Sequence, residues 1–313
     1  MKKILVIGAG AIGSYYGARL AQNGCKVIIY SRNDAEIIAK KGIFIKSYLG
    51  NFLFHPQQII DNLDNFKEEV DYILVATKCL PNIDLKGMIA KVISKNTKIV
   101  LIQNGIYIED EIVKNFSNNL ISCIAFIGVN REFVEKKFNG VINHQEYGRL
   151  IVGAYGKNID DNIVTNFINL FDKNLVEIEF TKNIKLERWK KLIWNGAFNP
   201  LSVVLGNKTT EQIVNNELAL NLAQNIMEEI YFLAKEDECE LPADIIEKNI
   251  LATKKMKPYK TSMLLDFEAQ RPLEIDAILG NPIKFAQSKS LNVPILSTIY
   301  AIISNLENSK KNP

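Results

Sequence analysis

The segment ERWKKLIWNGAFNP, residues 187–200, carries an amine and two amides at a regular spacing inside an otherwise apolar stretch. Lys191, Asn195 and Asn199 are four residues apart, so on a helix their side chains form one stripe. Tryptophan and phenylalanine border this stripe on one edge and leucine on the other. Burying such polar groups without partners is costly. A solvated helix face is one interpretation, but the apolar flanks favour a polar strip that lines a cleft and binds a polar ligand.

A second candidate site is the glycine-rich sequence GAGAIG, residues 8–13, which follows a predicted strand and opens a predicted helix. In this context the pattern G-x-G-x-x-G is typical of a loop that binds the pyrophosphate of a dinucleotide at a helix N-terminus. Gly8 would permit the tight turn, Gly10 the approach of the pyrophosphate, and Gly13 the packing of helix against strand. The alternative is a glycine turn that binds nothing. The cofactor-binding residues predicted in this loop are Gly8, Gly10, Ala11, Ile12 and Gly13.

The end of the second predicted strand distinguishes between the two nicotinamide dinucleotides. NAD-binding folds commonly have an acidic residue there, which binds the ribose hydroxyls. This sequence has Ser31 and Arg32 instead, and an arginine can hold the 2′-phosphate of NADP(H). Arg32 therefore favours NADP(H), whereas Asp34 could bind NAD(H) if the strand ended later.

Polar residues also follow two later predicted strands, where ligands of open α/β sheets bind. Lys78 follows the run ILVAT and could bind a ribose or phosphate oxygen. Asn104 follows IVLIQ and could contact the nicotinamide or a substrate beside it. Alternatively, Asn104 and Gly105 form an ordinary turn and Lys78 is solvated.

The elements that must position these residues follow from a change of periodicity along the chain. Short apolar runs alternate with amphipathic stretches in the first half, which predicts an α/β fold with a Rossmann-type doubly wound sheet. Helical patterns alone follow, which predicts an all-helical C-terminal domain. We therefore assign residues 1–178 to an NADP-binding domain and 179–313 to a helical domain for substrate binding and catalysis. Predicted strands cover residues 3–8, 26–30, 71–77, 97–103, 120–126, 141–153 and 175–180, and predicted helices cover 11–23, 81–94, 107–116, 181–199, 210–237, 242–256, 261–270 and 273–290.

Composition excludes several other classes of function. The 313 residues carry a net charge of only +3, which does not argue for nucleic acid or an anionic membrane as partner. The four cysteines form no CxxC pair and the two histidines are far apart, so we expect free thiols and no metal site. No run approaches the roughly 18 apolar residues of a membrane span. We interpret the N-terminus as a strand rather than a signal peptide and expect a cytoplasmic location.

Three blocks of this sequence resemble the ketopantoate reductases (2-dehydropantoate 2-reductases), and the similarity covers almost the whole chain. The first is GAGAIG with an arginine after the second strand. The second, residues 187–202, matches the family pattern W-x-K-L-x-x-N-x-x-x-N-P. The third, TSMLLDFEAQRPLEID at residues 261–276, matches S-M-x-x-D followed by E-I-D. The last two blocks together are specific to this family.

The resemblance implies a reaction and a set of roles. The family reduces the 2-keto group of ketopantoate with NADPH and gives pantoate for pantothenate and coenzyme A synthesis. Lys191 would be the general acid on the developing alkoxide, with its pKa lowered by burial from about 10.4. Glu274 would help set this lysine and bind a substrate hydroxyl. Further substrate contacts would be Asn104, Asn195, Asn199 and Ser262, and further cofactor contacts Lys78, Asn104 and Glu274.

One departure from the family pattern leaves the substrate open. Known members have asparagine three residues before the serine, and this chain has Tyr259. A related reductase of another branched or aromatic 2-keto acid, or a non-catalytic NADP(H) sensor, are the alternatives. Ser262 could instead cap a helix with Thr261, and Glu274 could be a first-turn carboxylate. The expected partner is a small 2-keto acid, and a homodimer through the helical domain rests on analogy alone.

Overall fold

The computed structural model describes residues 1–156 and 159–309. The chain divides into two compact units. The first consists of Met1–Lys78, Ile83–Gln103 and Ile108–Ile184, and the second of Cys79–Asn82, Asn104–Tyr107 and the chain from Lys185 onward.

The first unit is built on a ten-stranded sheet. Its strands are β1 (Lys3–Ile7), β2 (Lys26–Tyr30), β3 (Ile43–Ser47), β4 (Phe52–Phe54), β5 (Gln58–Ile60), β6 (Tyr72–Val75), β7 (Lys98–Ile102), β8 (Leu120–Val134), β9 (Lys137–Tyr155) and β10 (Ile178–Phe180). Its helices are α1 (Ala11–Gln22), α2 (Ala35–Lys41), α3 (Leu85–Ala90), α4 (Asp110–Asn115) and α5 (Asp161–Ile168), with a short 3₁₀ turn at Leu63–Asn65.

Parallel pairing dominates this sheet, in the order β5-β2-β1-β6-β7-β8. β9 then pairs antiparallel with β8 and parallel with β3 and β10, and β4 closes the other edge. In β1, Ile4 and Val6 pack into the core on one face while Leu5 and Ile7 pack on the other. Burial on both faces explains why this strand is a continuous apolar run rather than an alternating one.

The strand order places a topological switch point between β1 and β6. The chain leaves β1 toward β2 on one side, and the later strands β6, β7 and β8 lie on the other side. Ligands of open α/β sheets bind at the carboxyl ends of the strands at such a point. The glycine loop follows β1 at this position, so the fold places it where ligands of such sheets bind.

The second unit is helical. It contains α6 (Ile184–Val204, whose first residue belongs to the first unit), α7 (Thr210–Val214), α8 (Glu217–Glu236), α9 (Ile245–Lys255), α10 (Ser262–Glu268), α11 (Asn281–Ser288) and α12 (Pro294–Ser309), with a π-helical turn at Asp276–Gly280. Its core surrounds α6, which buries Trp189, Ile193, Phe198 and Leu201 completely or nearly so. The α/β fold with a helical C-terminal region, predicted from the sequence, is confirmed.

Several elements differ from the prediction. α6 does not end at Pro200 but runs to Val204 with the proline inside it, because Leu201 and Val203 of the last turn are buried in the core. The predicted helix 210–237 is two helices, since Asn216 caps α8 with its side chain on Ala219 N. The elements β3, β4, β5, α2, α5 and α12 have no counterpart in the prediction.

Two other kinds of site are absent from the described residues. None of the described helices combines the length and the apolar character that crossing a bilayer requires. In residues 1–156 and 159–309, no three His, Cys, Asp or Glu side chains group as metal ligands. The four cysteines are free thiols, and Cys25, Cys123 and Cys239 are buried.

Candidate active site

The glycine loop before α1 has a backbone conformation that depends on two of its three glycines. Gly8 has φ +107°, and a Cβ there would lie 2.6 Å from the Thr77 nitrogen. A Cβ on Gly13 would collide with the carbonyl oxygen of Gly8. A Cβ on Gly10, by contrast, would meet no atom within 4 Å. Gly8 and Gly13 are therefore needed by the fold itself, whereas Gly10 leaves open space in which a pyrophosphate could approach the backbone.

The first turn of α1 presents backbone N–H groups to this open space. α1 begins at Ala11, and its N-cap Gly10 has no side chain that could bind them. The N–H groups of Ala11, Ile12 and Gly13 have no partner inside the helix, and the helix dipole adds partial positive charge. A pyrophosphate fits this arrangement, so these residues could hold a dinucleotide.

A groove beside the loop carries the charged residues that follow β2. Arg32 is exposed at this groove, and its contact with a 2′-phosphate stays a prediction. Asp34 also lines it, but its carboxylate forms an ion pair with Arg131 at 2.8 Å. The residues that line the groove include Gly8, Gly10, Ser31, Arg32, Asp34, Thr77 and Arg131.

The two strand ends after β6 and β7 are joined within the first unit. Gln103 donates its side-chain amide to the Thr77 carbonyl at 2.8 Å and to the Thr77 hydroxyl at 3.1 Å. Thr77 lines the groove, whereas the next residue, Lys78, is half-buried and outside the groove lining. A cofactor role for Lys78 stays a prediction.

Three residues from distant parts of the chain form a hydrogen-bonded network in the second unit. The Lys191 amine donates to Asn104 Oδ1 at 2.9 Å. The Asn104 amide nitrogen faces Glu274 Oε2 at 3.5 Å, the outer limit of a hydrogen bond. Glu274 Oε1 accepts the backbone N–H of Cys79 at 2.9 Å. The network joins Lys191 and Glu274, to which the family resemblance gives catalytic roles, through Asn104, for which only contacts with substrate and cofactor were expected.

The electrostatic environment of Lys191 lowers its affinity for a proton. Burial of the amine, reinforced by the positive charge of Arg188, lowers the pKa of Lys191 from 10.5 to about 7, although Glu274 acts in the opposite sense. Lys190, the neighbouring lysine, instead pairs with Glu187 at 2.7 Å on its own helix. At neutral pH an amine with such a pKa exists in both forms, as a group that donates and recovers a proton requires.

The turn that carries Asn104 is held by backbone packing. Gly105 has φ +104°, and a Cβ there would lie 2.6 Å from both the Cβ and the carbonyl oxygen of Ala277. Ile106 N donates to the same Ala277 oxygen at 3.1 Å, and Arg188 Nη1 donates to the Gly105 oxygen at 2.9 Å. The Asn-Gly sequence is therefore a turn, and that turn aims an amide at Lys191. The interpretation as a turn is therefore correct, whereas a contact of Asn104 with the nicotinamide or a substrate stays a prediction.

The remaining polar residues of α6 alternate along the sequence with aromatic residues that form a group of rings. Asn199 is buried and Asn195 half-buried on the same helix as Lys191. The Trp194 ring lies 5.1 Å from Phe198 and 6.3 Å from Tyr259, measured between centroids. Tyr259, which stands where the family pattern would have asparagine, is thus part of an aromatic group with Trp194 and Phe198.

Ser262 occupies a different position from the network. Thr261 is the N-cap of α10, where its hydroxyl accepts Leu264 N at 3.1 Å and lies 2.7 Å from the Ser202 hydroxyl. Ser262 is the first helical residue and is exposed, and no side-chain hydrogen bond ties it to the rest of the described chain. The capping role belongs to Thr261, and the substrate role of Ser262 stays a prediction.

Three functional candidates were missed by reasoning from the sequence. Arg188 lies one turn before Lys191, so its i, i+3 position on the helix could have revealed it. Cys79 contributes a backbone N–H, which no side-chain pattern indicates. Arg131 reaches the groove from the far end of β8, a contact that only the tertiary structure creates.

Comparisons with known proteins relate nearly the whole chain to one family. The family described as ketopantoate reductase PanE/ApbA matches residues 4–157, and its C-terminal part matches 183–307. A 2-dehydropantoate 2-reductase of Nostoc sp. is 31% identical over 96% of this chain and 93% of its own. The crystal structure of 2-dehydropantoate 2-reductase from Methylococcus capsulatus is 39% identical with a TM-score of 0.91, covering 99% of this chain and 98% of that one.

A further solved structure shares the fold at lower identity. D-mandelate dehydrogenase, in a ternary structure with NADH and anilino(oxo)acetate, has a TM-score of 0.87 and 20% identity over 99% of both chains.

Proposed function

Because the chain belongs to the ketopantoate reductase family of NAD(P)-dependent oxidoreductases, we propose that it reduces 2-dehydropantoate (ketopantoate) to pantoate with NADPH. This is the step that supplies pantoate for pantothenate and coenzyme A biosynthesis. The observation that carries the proposal is the Lys191–Asn104–Glu274 network, with the pKa of its lysine lowered to about 7.

The first unit supplies the proposed cofactor site. When bound, NADPH would supply the hydride that reduces C2 of the keto acid. The open backbone at Gly10 and the N–H groups at the start of α1 would hold its pyrophosphate. Arg32, exposed at the groove after β2, would bind its 2′-phosphate.

Lys191 is the proposed general acid. As C2 is reduced, the carbonyl electrons move to oxygen, where negative charge develops. The ammonium group of Lys191 would stabilise that charge and give its proton to the oxygen, which completes the hydroxyl group. The neutral amine would then recover a proton from water. A pKa near 7 suits both transfers.

Asn104 and Glu274 would position that lysine. Asn104 Oδ1 accepts from the Lys191 amine at 2.9 Å and so restricts where the amine can point. The negative charge of Glu274 favours the protonated form of Lys191, so that part of the Lys191 amines stay protonated at neutral pH. The carboxylate of Glu274 is itself held in place, because Oε1 accepts the backbone N–H of Cys79 and Oε2 faces the amide nitrogen of Asn104.

The proposed substrate contacts lie along the polar stripe. Asn195 and Asn199 follow Lys191 on α6 at successive turns and offer amides to the carboxylate and hydroxyl groups of a small keto acid. Ser262 at the start of α10 is the further contact that the family pattern suggests.

A second candidate substrate is an aromatic or larger branched 2-keto acid. Tyr259 stands where the family has asparagine, and its ring belongs to the group with Trp194 and Phe198. An aromatic wall binds an apolar side chain better than the hydroxylated ketopantoate. The same residues would transfer the proton in either case.

The test is a panel of 2-keto acids, with NADPH consumption as the readout. Ketopantoate should give the highest kcat/KM, above 2-ketoisovalerate and phenylglyoxylate. If phenylglyoxylate alone is turned over, the assigned substrate is wrong, but the assigned reaction, the reduction of a 2-keto acid, stands. If no keto acid is reduced although NADPH binds, the chain is an NADP(H) sensor and the catalytic proposal is wrong.

A pair of variants tests the catalytic assignment. Lys191→Ala should lower kcat by about 100-fold or more, while NADPH affinity stays nearly unchanged. Lys190→Ala is the matched control, because Lys190 is adjacent in sequence but pairs with Glu187. Equal activity of the two variants would contradict the assignment of the proton donor to Lys191.

A further inference from the structure

A second arginine lies in the groove that the proposed cofactor would occupy. Arg131, near the end of β8, lines the groove together with Arg32 and Asp34. Its Nη2 atom is 2.8 Å from Asp34 Oδ2, and both side chains are largely buried, with 22% and 19% of their surfaces exposed. Such an ion pair is better shielded from water than the exposed pairs of the surface.

The arginine is held in place from its other side by aromatic rings. Its guanidinium carbon lies 3.9 Å from the centroid of Phe138 and 5.2 Å from that of Phe133. These two rings belong to residues paired across the β8–β9 hairpin. The strand register shifts between Arg131 and Phe133, and such an irregularity changes the direction of a side chain. The guanidinium is therefore preorganised against Asp34.

This arrangement affects the choice of dinucleotide. An acidic residue after the second strand accepts hydrogen bonds from the 2′-hydroxyl of NAD(H) and repels the 2′-phosphate of NADP(H). Asp34 lies in that region, and Arg131 neutralises it. With Arg32 also in the groove, the three charged side chains sum to one positive charge. A phosphate that carries about two negative charges would be attracted rather than repelled.

We propose that Arg131 is a specificity-determining residue for NADP(H) over NAD(H), and that it acts by pairing with Asp34. The inference rests on the proposed cofactor preference and deepens it. Arg32 would contact the 2′-phosphate directly, whereas Arg131 is a positioning residue that keeps the Asp34 carboxylate paired. Removing Arg131 would expose an unpaired carboxylate beside the phosphate.

The test is a double-mutant cycle on cofactor binding to the full chain. Dissociation constants for NADP⁺ and NAD⁺ would be measured by calorimetry for the wild type, Arg131→Met, Asp34→Asn and the double variant. The adenosine fragments 2′-AMP and 5′-AMP serve as further probes. Arg131→Met should weaken NADP⁺ and 2′-AMP about tenfold and leave NAD⁺ and 5′-AMP unchanged or tighter.

The double variant distinguishes a screened carboxylate from a direct phosphate contact. It has the same net charge in the groove as the wild type, so its affinity for NADP⁺ should return to within about threefold of the wild-type value. Asp34→Asn alone leaves the aromatic stack intact and should bind NADP⁺ at least as tightly as the wild type. A double variant as weak as Arg131→Met, or an Asp34→Asn variant weakened to the same degree, would overturn the inference.

The measurements distinguish a wrong role for Arg131 from a wrong assignment of the cofactor preference. A wild type without preference for NADP⁺, or with a preference that Arg32→Ala leaves unchanged, would overturn the cofactor assignment. A preference that depends on Arg32 but is unaffected by Arg131→Met would leave that assignment standing and reject the role of Arg131. Thermal melting of each variant shows whether a loss of binding reflects a loss of folded protein.

Discussion

Lys191 is subject to two opposing influences at the scale of the single residue. Burial and the charge of Arg188 disfavour its protonated form, while Glu274 favours it. The result is an amine whose pKa lies at about 7, close to the pH at which an acid catalyst is most effective. Functional residues often carry perturbed pKa values of this kind, at a cost in stability.

The pH dependence of turnover should follow from this lysine. The proposed acid acts in its protonated form, so kcat should fall as the pH rises through about 7. Steady-state rates with ketopantoate and NADPH from pH 5.5 to about 9 would measure the profile. A kcat that rises across this range would mean that Lys191 acts as a base instead.

Stability should respond to the same group in a predictable direction. The pKa of Lys191 is about 7 in the folded chain and 10.5 in the unfolded chain, so between these values the unfolded chain binds more protons. The free energy of unfolding therefore rises with pH across this window. Lys191→Met removes the effect, so the variant should melt above the wild type at pH 6, and the difference should shrink toward pH 10. A difference that grows with pH would contradict the folded-state pKa.

At the scale of elements, short turns at the ends of strands decide where the functional groups point. The glycine loop after β1 and the Asn-Gly turn after β7 each contain a glycine with a positive φ, a backbone conformation that residues with a side chain rarely adopt. In each turn one glycine packs against another segment so closely that a Cβ would collide. These turns therefore cannot be changed without moving the groups they carry.

The glycines of the first loop should separate binding from folding. A Cβ on Gly10 meets nothing within 4 Å, so Gly10→Ala should change the melting temperature little but weaken NADPH at least about tenfold. A Cβ on Gly13 meets the Gly8 oxygen, so Gly13→Ala should cost about 1–3 kcal/mol of stability. Melting curves and NADPH titrations measure both. The loop model is wrong if Gly10→Ala unfolds the protein while Gly13→Ala is harmless.

The turn that holds Asn104 has a matched control elsewhere in the chain. Gly105 and Gly50 have φ of +104° and +107°, but only at Gly105 would a Cβ meet neighbouring atoms. Gly50→Ala should lower the free energy of unfolding by about 1–3 kcal/mol, the cost of the strained backbone conformation alone. Gly105→Ala should cost more and also lower kcat by displacing Asn104 from Lys191. Equal losses of stability and unchanged kcat would show that the contact with Ala277 does not position Asn104.

At the scale of the whole molecule, the two units carry different parts of the proposed chemistry. The groove and the glycine loop belong to the first unit, and the Lys191 network belongs to the second. Two short segments that follow strand ends, Cys79–Asn82 and Asn104–Tyr107, are counted with the second unit. We therefore propose that the first unit binds NADP(H) and the second carries catalysis.

Ligand-induced stabilisation should reveal the cofactor preference of the intact chain. A ligand at about 100 times its dissociation constant stabilises by about 2.7 kcal/mol, which raises the melting temperature by roughly 4 °C for a protein of this size. NADPH should give such a shift and NADH at equal concentration a smaller one. Arg32→Ala should make the two shifts similar. Equal shifts in the wild type would remove the argument for a 2′-phosphate site.

Local patterns in the sequence determined the class of fold and most of the candidate residues. The glycine spacing, the continuous apolar strands and the four-residue stripe on α6 each depend on interactions between near neighbours, which a sequence displays directly. The choice of Lys191 over Lys190 followed from that stripe, and the structure joins Lys191 to Asn104. The helix boundaries were less predictable, because burial of Leu201 and Val203 carries α6 beyond Pro200.

Only the tertiary structure decided which distant residues meet. Glu274 could have been a helix-dipole carboxylate, but it accepts the N–H of Cys79, 195 residues away in sequence. Asp34 could have served NAD(H), but Arg131 from the β8–β9 hairpin pairs with it. No periodicity records such contacts, because they arise when the sheet brings separate strands and hairpins together. The pKa of Lys191 has the same origin, since burial and the charges around it exist only in the folded chain.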